Sequence, residues 1–142
     1  MAHQISVFAE NKPGRIERVT GVLAEAQVNI RAITVSSSEE FGVIKLLVDR
    51  PDAAYEALRG KGISALKKEI LAIPMEDRPG GLHTIAKVLS RAGINMEDAY
   101  GFVVEDRKRA VLVVEVARMA EAEARLRESG MAMLTDAEIY AL

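Results

Sequence analysis

The sequence predicts an α+β chain made of two copies of one strand-helix-strand-strand-helix-strand unit. Three observations carry that reading. Ile5, Val7 and Ala9 alternate with Gln4, Ser6 and Phe8, the period-two signal of a half-buried strand. Ile16, Val19, Leu23 and Ala26 recur at spacings of three and four, as one face of a helix does. The same order of elements then returns 66 to 68 positions further on.

The elements follow in turn. Leu71, Ile73 and Met75 repeat the first strand. A corner comes next in each copy, "ENKPGR" from Glu10 to Arg15 and "EDRPGG" from Glu76 to Gly81. Leu82, Ile85, Leu89 and Ala92 repeat the helical stripe. Gly93 suits the residue after that helix, where a left-handed backbone carries no Cβ penalty. Gln27 stands at the matching place in the first copy, so that end is expected to close differently. Second strands are expected at Ile30 to Ser36 and Met96 to Val104, and third strands at Val43 to Val48 and Val111 to Val116. The change of spacing falls between them, in a hairpin loop, where length varies most freely. Pro51 opens a short helix carrying Ala54 and Leu58, answered by Ala122 and Leu126. Gly62 and Gly130 end these helices, and last strands follow near Ser64 to Lys68 and Met131 to Leu134. Thr135 to Glu138, "TDAE", has capping-box spacing and starts a final turn of helix.

Split-βαβ topology, with helices on one face of an antiparallel sheet, is the natural solution for this order. The expected modules are residues 1–69 and 70–142. A unit of about 70 residues is marginal alone. No Gly- or Ser-rich linker separates the copies, and "LKKEILAI" runs straight from one into the next. The two are therefore expected to be docked side by side, their strands forming one continuous antiparallel sheet.

Composition narrows the function. The chain has 142 residues, 49% hydrophobic and 28% charged, with net charge -2. That balance leaves no electrostatic footprint for nucleic acid or an anionic membrane. Cysteine is absent, and His3 and His83 are the only histidines, without metal-ligand spacing. No nucleophile-base pair stands out, so neither enzyme chemistry nor a cofactor is expected. The N-terminus does not read as a signal peptide, and no apolar run approaches the roughly 18 residues of a membrane span. A cytoplasmic protein is expected.

The doubled corner is the candidate site. A helix start presents unpaired N–H groups and a positive dipole end, ready for a carboxylate or phosphate. Gly14 and Gly80 let a ligand approach, and Pro13 and Pro79 fix φ ahead of the helix. Asn11 can donate and accept hydrogen bonds; Asp77 only accepts and is negative, which suits an ammonium group. The same pattern is also ordinary turn chemistry. Arg15, Arg18, Lys87 and Arg91 read as solvated helix-face charges, and His83 as exposed.

The runs "ENKPGRIERVTGVLAEAQVNIRA" and "EDRPGGLHTIAKVLSRAGINMED" resemble the ACT domain, a ferredoxin-like βαββαβ module. The resemblance covers both halves, and the opening "QISVFAENKPGR" is similar to the stand-alone tandem ACT proteins of bacteria. It implies an amino-acid-binding regulatory protein, without catalysis, whose partner is an enzyme of amino-acid metabolism. It also implies effector sites at the seam between modules. One would combine Asn11, Lys12, Pro13, Gly14 and Arg15 with Met96, Asp98 and Tyr100. Its pseudo-symmetric mate would combine Asp77, Pro79, Gly80, Gly81 and Leu82 with Ile30, Ala32 and Thr34. Asn29 and Asn95 match the family's helix-end asparagine. Gln27-Val28 departs from the usual Gly-Ile at that place.

Strand alternation places Phe8, Val43, Leu47, Val111 and Val113 away from the helices. An apolar patch there predicts a homodimer. The main alternative is a protein-protein interaction module with no small ligand. An acylphosphatase-like enzyme lacks its arginine-rich glycine cradle here. An RNA-recognition module lacks the aromatic third strand needed for stacking.

Overall fold

A computed structural model describes all residues, 1–142. Eleven elements follow one another. They are β1 (Ala2–Glu10), α1 (Arg15–Glu25), β2 (Ile30–Ser38), β3 (Phe41–Val48), α2 (Pro51–Gly60), β4 (Ala65–Glu76), α3 (Gly81–Arg91), β5 (Asp98–Glu105), β6 (Arg109–Glu115), α4 (Met119–Glu128) and α5 (Asp136–Tyr140). They form two units. The N-terminal unit holds His3–Lys68 with Ile139–Ala141. The C-terminal unit holds Glu69–Glu138 with Met1–Ala2 and Leu142. The expected last strand of copy one and first strand of copy two are one continuous strand, β4, whose residues are shared between the units.

In the N-terminal unit the strands run in the order β2-β3-β1-β4. The β1–β3 and β2–β3 pairs are antiparallel, with Ile5 opposite Leu46 and Val7 opposite Ile44. Residues opposed in this way share a face, and α1 and α2 cover that face. Val19 and Leu23 from α1, and Ala54 and Leu58 from α2, meet Ile5, Val7, Ile44 and Leu46 in one core. Ile16, expected in the buried stripe, is exposed instead, as is its equivalent Leu82. The apolar stripe of each helix is buried only from the second turn on.

The C-terminal unit repeats this with the order β4-β6-β5. Leu71 lies opposite Val114 and Ile73 opposite Leu112. Ile85 and Leu89 from α3, and Ala122 and Leu126 from α4, pack against them. Residues Met131 to Leu134 do not form the expected strand. That segment is held to β4 by one bond, Leu134 N–H to the Ala72 carbonyl at 2.8 Å. The expected capping box then starts α5: Thr135 Oγ1 accepts from Glu138 N–H at 3.2 Å, and Glu138 Oε1 accepts from Thr135 N–H at 3.2 Å.

Two further expectations are corrected. Gln27 closes α1 as Gly93 closes α3, not differently. It takes φ 58° where Gly93 takes 70°. The next amides match too, Val28 to the Leu23 carbonyl and Ile94 to the Leu89 carbonyl, both 2.9 Å. The expected outward apolar patch is also largely absent. Leu47, Val111 and Val113 are buried within the chain, and Val43 is half-buried. Of that set only Phe8 remains exposed, at 46%.

Candidate functional site

The two corners share a backbone design. Gly14 at φ 91° and Gly80 at φ 87° are the residues before α1 and α3. That left-handed turn lets the chain swing from strand into helix within a few residues, and it is why glycine stands there. Each corner is also latched to the tip of its own unit's hairpin. Asn11 Nδ2 donates to the Glu39 carbonyl at 2.9 Å, and Asn11 N–H to the Glu40 carbonyl at 2.7 Å. Asp77 Oδ2 accepts from Arg107 N–H at 2.7 Å, and Asp77 N–H donates to the Lys108 carbonyl at 3.2 Å. Glu39 and Arg107 both have positive φ, 55° and 60°. The amide-for-carboxylate difference between the copies thus matches a carbonyl-for-amide difference at the hairpin tips. In both corners these side chains already have backbone partners.

Beyond the latch the corners diverge. In the N-terminal unit a cleft of about 700 Å³ opens beside α1. Its charged residues are Glu10, Arg15 and Arg18, and Phe8, Phe41, Val43 and Ile63 make an apolar wall. Ser36, Ser38 and Ser64 add hydroxyls. Arg15 Nη2 lies 3.3 Å from Glu10 Oε1. The Arg15 side chain is 27% exposed, and its Nε is buried without a hydrogen-bond partner. It is therefore not the solvated charge expected. Arg18 Nη2 donates to the Lys61 carbonyl at 2.9 Å. Lys12 Nζ also approaches Glu10, at 3.4 Å, from an exposed position. Pro13 and Gly14 are exposed on the corner itself.

The equivalent hollow in the C-terminal unit is about 150 Å³. It is lined by Pro74, Met75, Glu76, Arg78, Gly81, Thr84, Ile85 and Met131. Gly81 occupies the place of Arg15. A Cβ there would overlap the Glu76 carbonyl oxygen, so the corner is drawn in too far for any side chain. Pro79 and Leu82 are exposed.

The other expected site residues lie on the second strands. Ile30 packs against the N-terminal core, Ala32 lies opposite Leu47, and Thr34 opposite Lys45. Within this unit, β2 contributes Ser36 and Ser38 to the cleft rather than these three. Met96 packs against the C-terminal core, while Asn95 is exposed. Asp98 lies opposite Glu115 and Tyr100 opposite Val113. Burial, and then the carboxylates of Asp98 and Glu115, push the Tyr100 hydroxyl pKa well above its ordinary value, so the phenol stays neutral. Phe41, Arg18, Ser36, Ser38 and Ser64 were not singled out by the sequence as site residues. Phe41 carried a usable signal: it is one of only three phenylalanines, and it sits at the hairpin.

The family model for the ACT domain pair matches residues 1–140. The chain belongs to the ACT domain pair family. Among solved structures, this ACT pair is similar to a protein from Bacteroides thetaiotaomicron, at 30% identity and a TM-score of 0.92, covering 99% of this chain and 96% of that one. It shares its fold with the ligand-free regulatory subunit of aspartate kinase from Thermus thermophilus, at 17% identity and TM-score 0.64, covering 90% and 92%. A structure of aspartokinase alpha and beta subunits is similar at 16% identity and TM-score 0.60, covering 90% and 91%. No curated protein matches the chain. No helix is long and apolar enough to cross a membrane.

Proposed function

We propose that this ACT pair is an amino-acid-responsive regulatory protein without catalytic chemistry of its own, acting on an enzyme of amino-acid metabolism. The observation that carries the reading is the N-terminal cleft, where a carboxylate and a guanidinium stand 3.3 Å apart beside a largely apolar wall. A zwitterion needs both charges close together, and ligand sites combine an apolar lining with a few placed polar groups. Membership of the ACT family supports the reading, as do aspartate kinase regulatory subunits with the same fold. The chain is also proposed to form a homodimer. β2 ends the strand order of its unit, and Ile33 and Val35 on it are 43% and 48% exposed. An open edge strand with apolar side chains is a natural place for a second chain to add.

A thermal-shift screen against the twenty amino acids at millimolar concentration tests the ligand reading. A ligand at 100 times its Kd adds about 2.7 kcal/mol, a rise of several degrees for a chain of this size. A flat response to all twenty would leave the amino-acid reading without support and favour a protein-protein interaction module. Those same exposed residues of β2 would then be the first place to look for the partner.

A further inference from the structure

The two copies offer a comparison inside one chain, and it separates them sharply. Phe8, Arg15, Arg18, Phe41 and Ile63 line the N-terminal cleft. At the matching places the second copy has Pro74, Gly81, Thr84, Arg109 and Met131. The two α1 guanidinium groups and both aromatic rings are absent there, while Arg78, paired with Glu76, lines the smaller hollow. The lost volume is large, from about 700 Å³ to about 150 Å³. The closure is backbone-deep, because the Glu76 carbonyl sits where a Cβ on Gly81 would be.

We propose that only the N-terminal corner binds ligand, and that its ligand is an α-amino acid with a large apolar side chain. This rests on the amino-acid reading above and adds location, stoichiometry and ligand class to it. The carboxylate is received by the Arg15 guanidinium, which lines the cleft and is 27% exposed. A guanidinium offers a carboxylate two parallel charge-assisted hydrogen bonds, about twice as strong as neutral ones. The ammonium is received by Glu10, whose side chain is 56% exposed. The side chain lies on Phe8 and Phe41, which are 46% and 65% exposed. Rings left that open beside a charged pair gain from being covered by an apolar group.

Isothermal titration of the full chain tests this. Phenylalanine, leucine and methionine are compared with glycine, serine and aspartate. We expect one molecule bound per chain, and the apolar set bound at least tenfold more tightly. Arg15→Lys keeps the charge but removes the planar fork of donors, and should weaken binding tenfold or more. Phe41→Ser, at a position 65% exposed, should weaken it similarly for the apolar set alone. Arg78→Ala, in the C-terminal corner, should bind as the unaltered chain does. Two molecules per chain, or loss of binding in Arg78→Ala with Arg15→Lys unaffected, would overturn the single-site assignment and leave the amino-acid reading standing. Preference for glycine, serine or aspartate would overturn the ligand class. Heat from none of the twenty amino acids would overturn both, and the phenylalanines would then mark a partner surface.

Discussion

Gln27 shows what a single residue can hide. Its sequence neighbours predicted an unusual helix end, yet the backbone repeats that of Gly93, at a positive φ where a side chain costs about 1 kcal/mol. Gln27→Gly should therefore stabilise the chain by at most about 0.5 kcal/mol, after the added freedom of glycine in the unfolded chain. Urea unfolding of the two proteins reads this directly. Tyr100 makes a second residue-scale prediction. Its pKa is raised on folding, first by burial and then by Asp98 and Glu115. Its contribution is thus complete below the ordinary value near 10 and is lost as pH climbs above it. Stability measured from pH 9 to 11 should fall, and Tyr100→Phe should flatten that fall. The corner side chains were only half legible. Asn11 and Asp77 were visible as hydrogen-bonding groups, but their acceptor and donor lie 28 and 30 residues away, at hairpin tips that no local pattern connects to them.

At the scale of elements, strand and helix periodicity was readable because burial imposes it. Most strands and helices fall where alternation and three-four spacing put them, and the capping box at Thr135 forms as its spacing implies. Met131 to Leu134 in the second copy does not take up the expected strand, and Leu134 N–H bonds to the Ala72 carbonyl of β4. A further device was not legible at all. Arg50 donates to the Ala26 and Gln27 carbonyls at the end of α1, and Arg118 Nη2 to the Gly93 carbonyl at 2.6 Å at the end of α3. Arg50 satisfies the C-cap carbonyl of Ala26, and both guanidinium groups bond the carbonyl of the residue just past the C-cap, near the negative end of the dipole. Arg50→Ala and Arg118→Ala should each cost about 1 kcal/mol by chemical denaturation. Gly81→Ala should cost about 1–3 kcal/mol, since the Glu76 carbonyl must move to admit the methyl group. Gly21→Ala, where nothing stands near the added Cβ, should not destabilise α1 and serves as the comparison.

For the whole molecule, the repeat made the family visible and the divergence between copies gives the function its direction. Duplication preserved what both units need to fold: the glycine before the helix, the latch to the hairpin, the arginine at the helix end. The charged, aromatic cleft is found in one copy only. On the sequence line the paired motifs differ in charge, Asn11 against Asp77, but that difference does not say which corner is open. Only the packing of Glu76 on Gly81, and the grouping of Phe8, Arg15 and Phe41 around one hollow, sets them apart.

The most direct measurement is a titration of the nitrogen-15-labelled chain with phenylalanine and leucine, followed by amide chemical shifts. The account predicts saturable shifts concentrated at Glu10–Arg18 and around Phe41, with Glu76–Thr84 little changed. Equal shifts in both corners, or shifts confined to Glu76–Thr84, would contradict it.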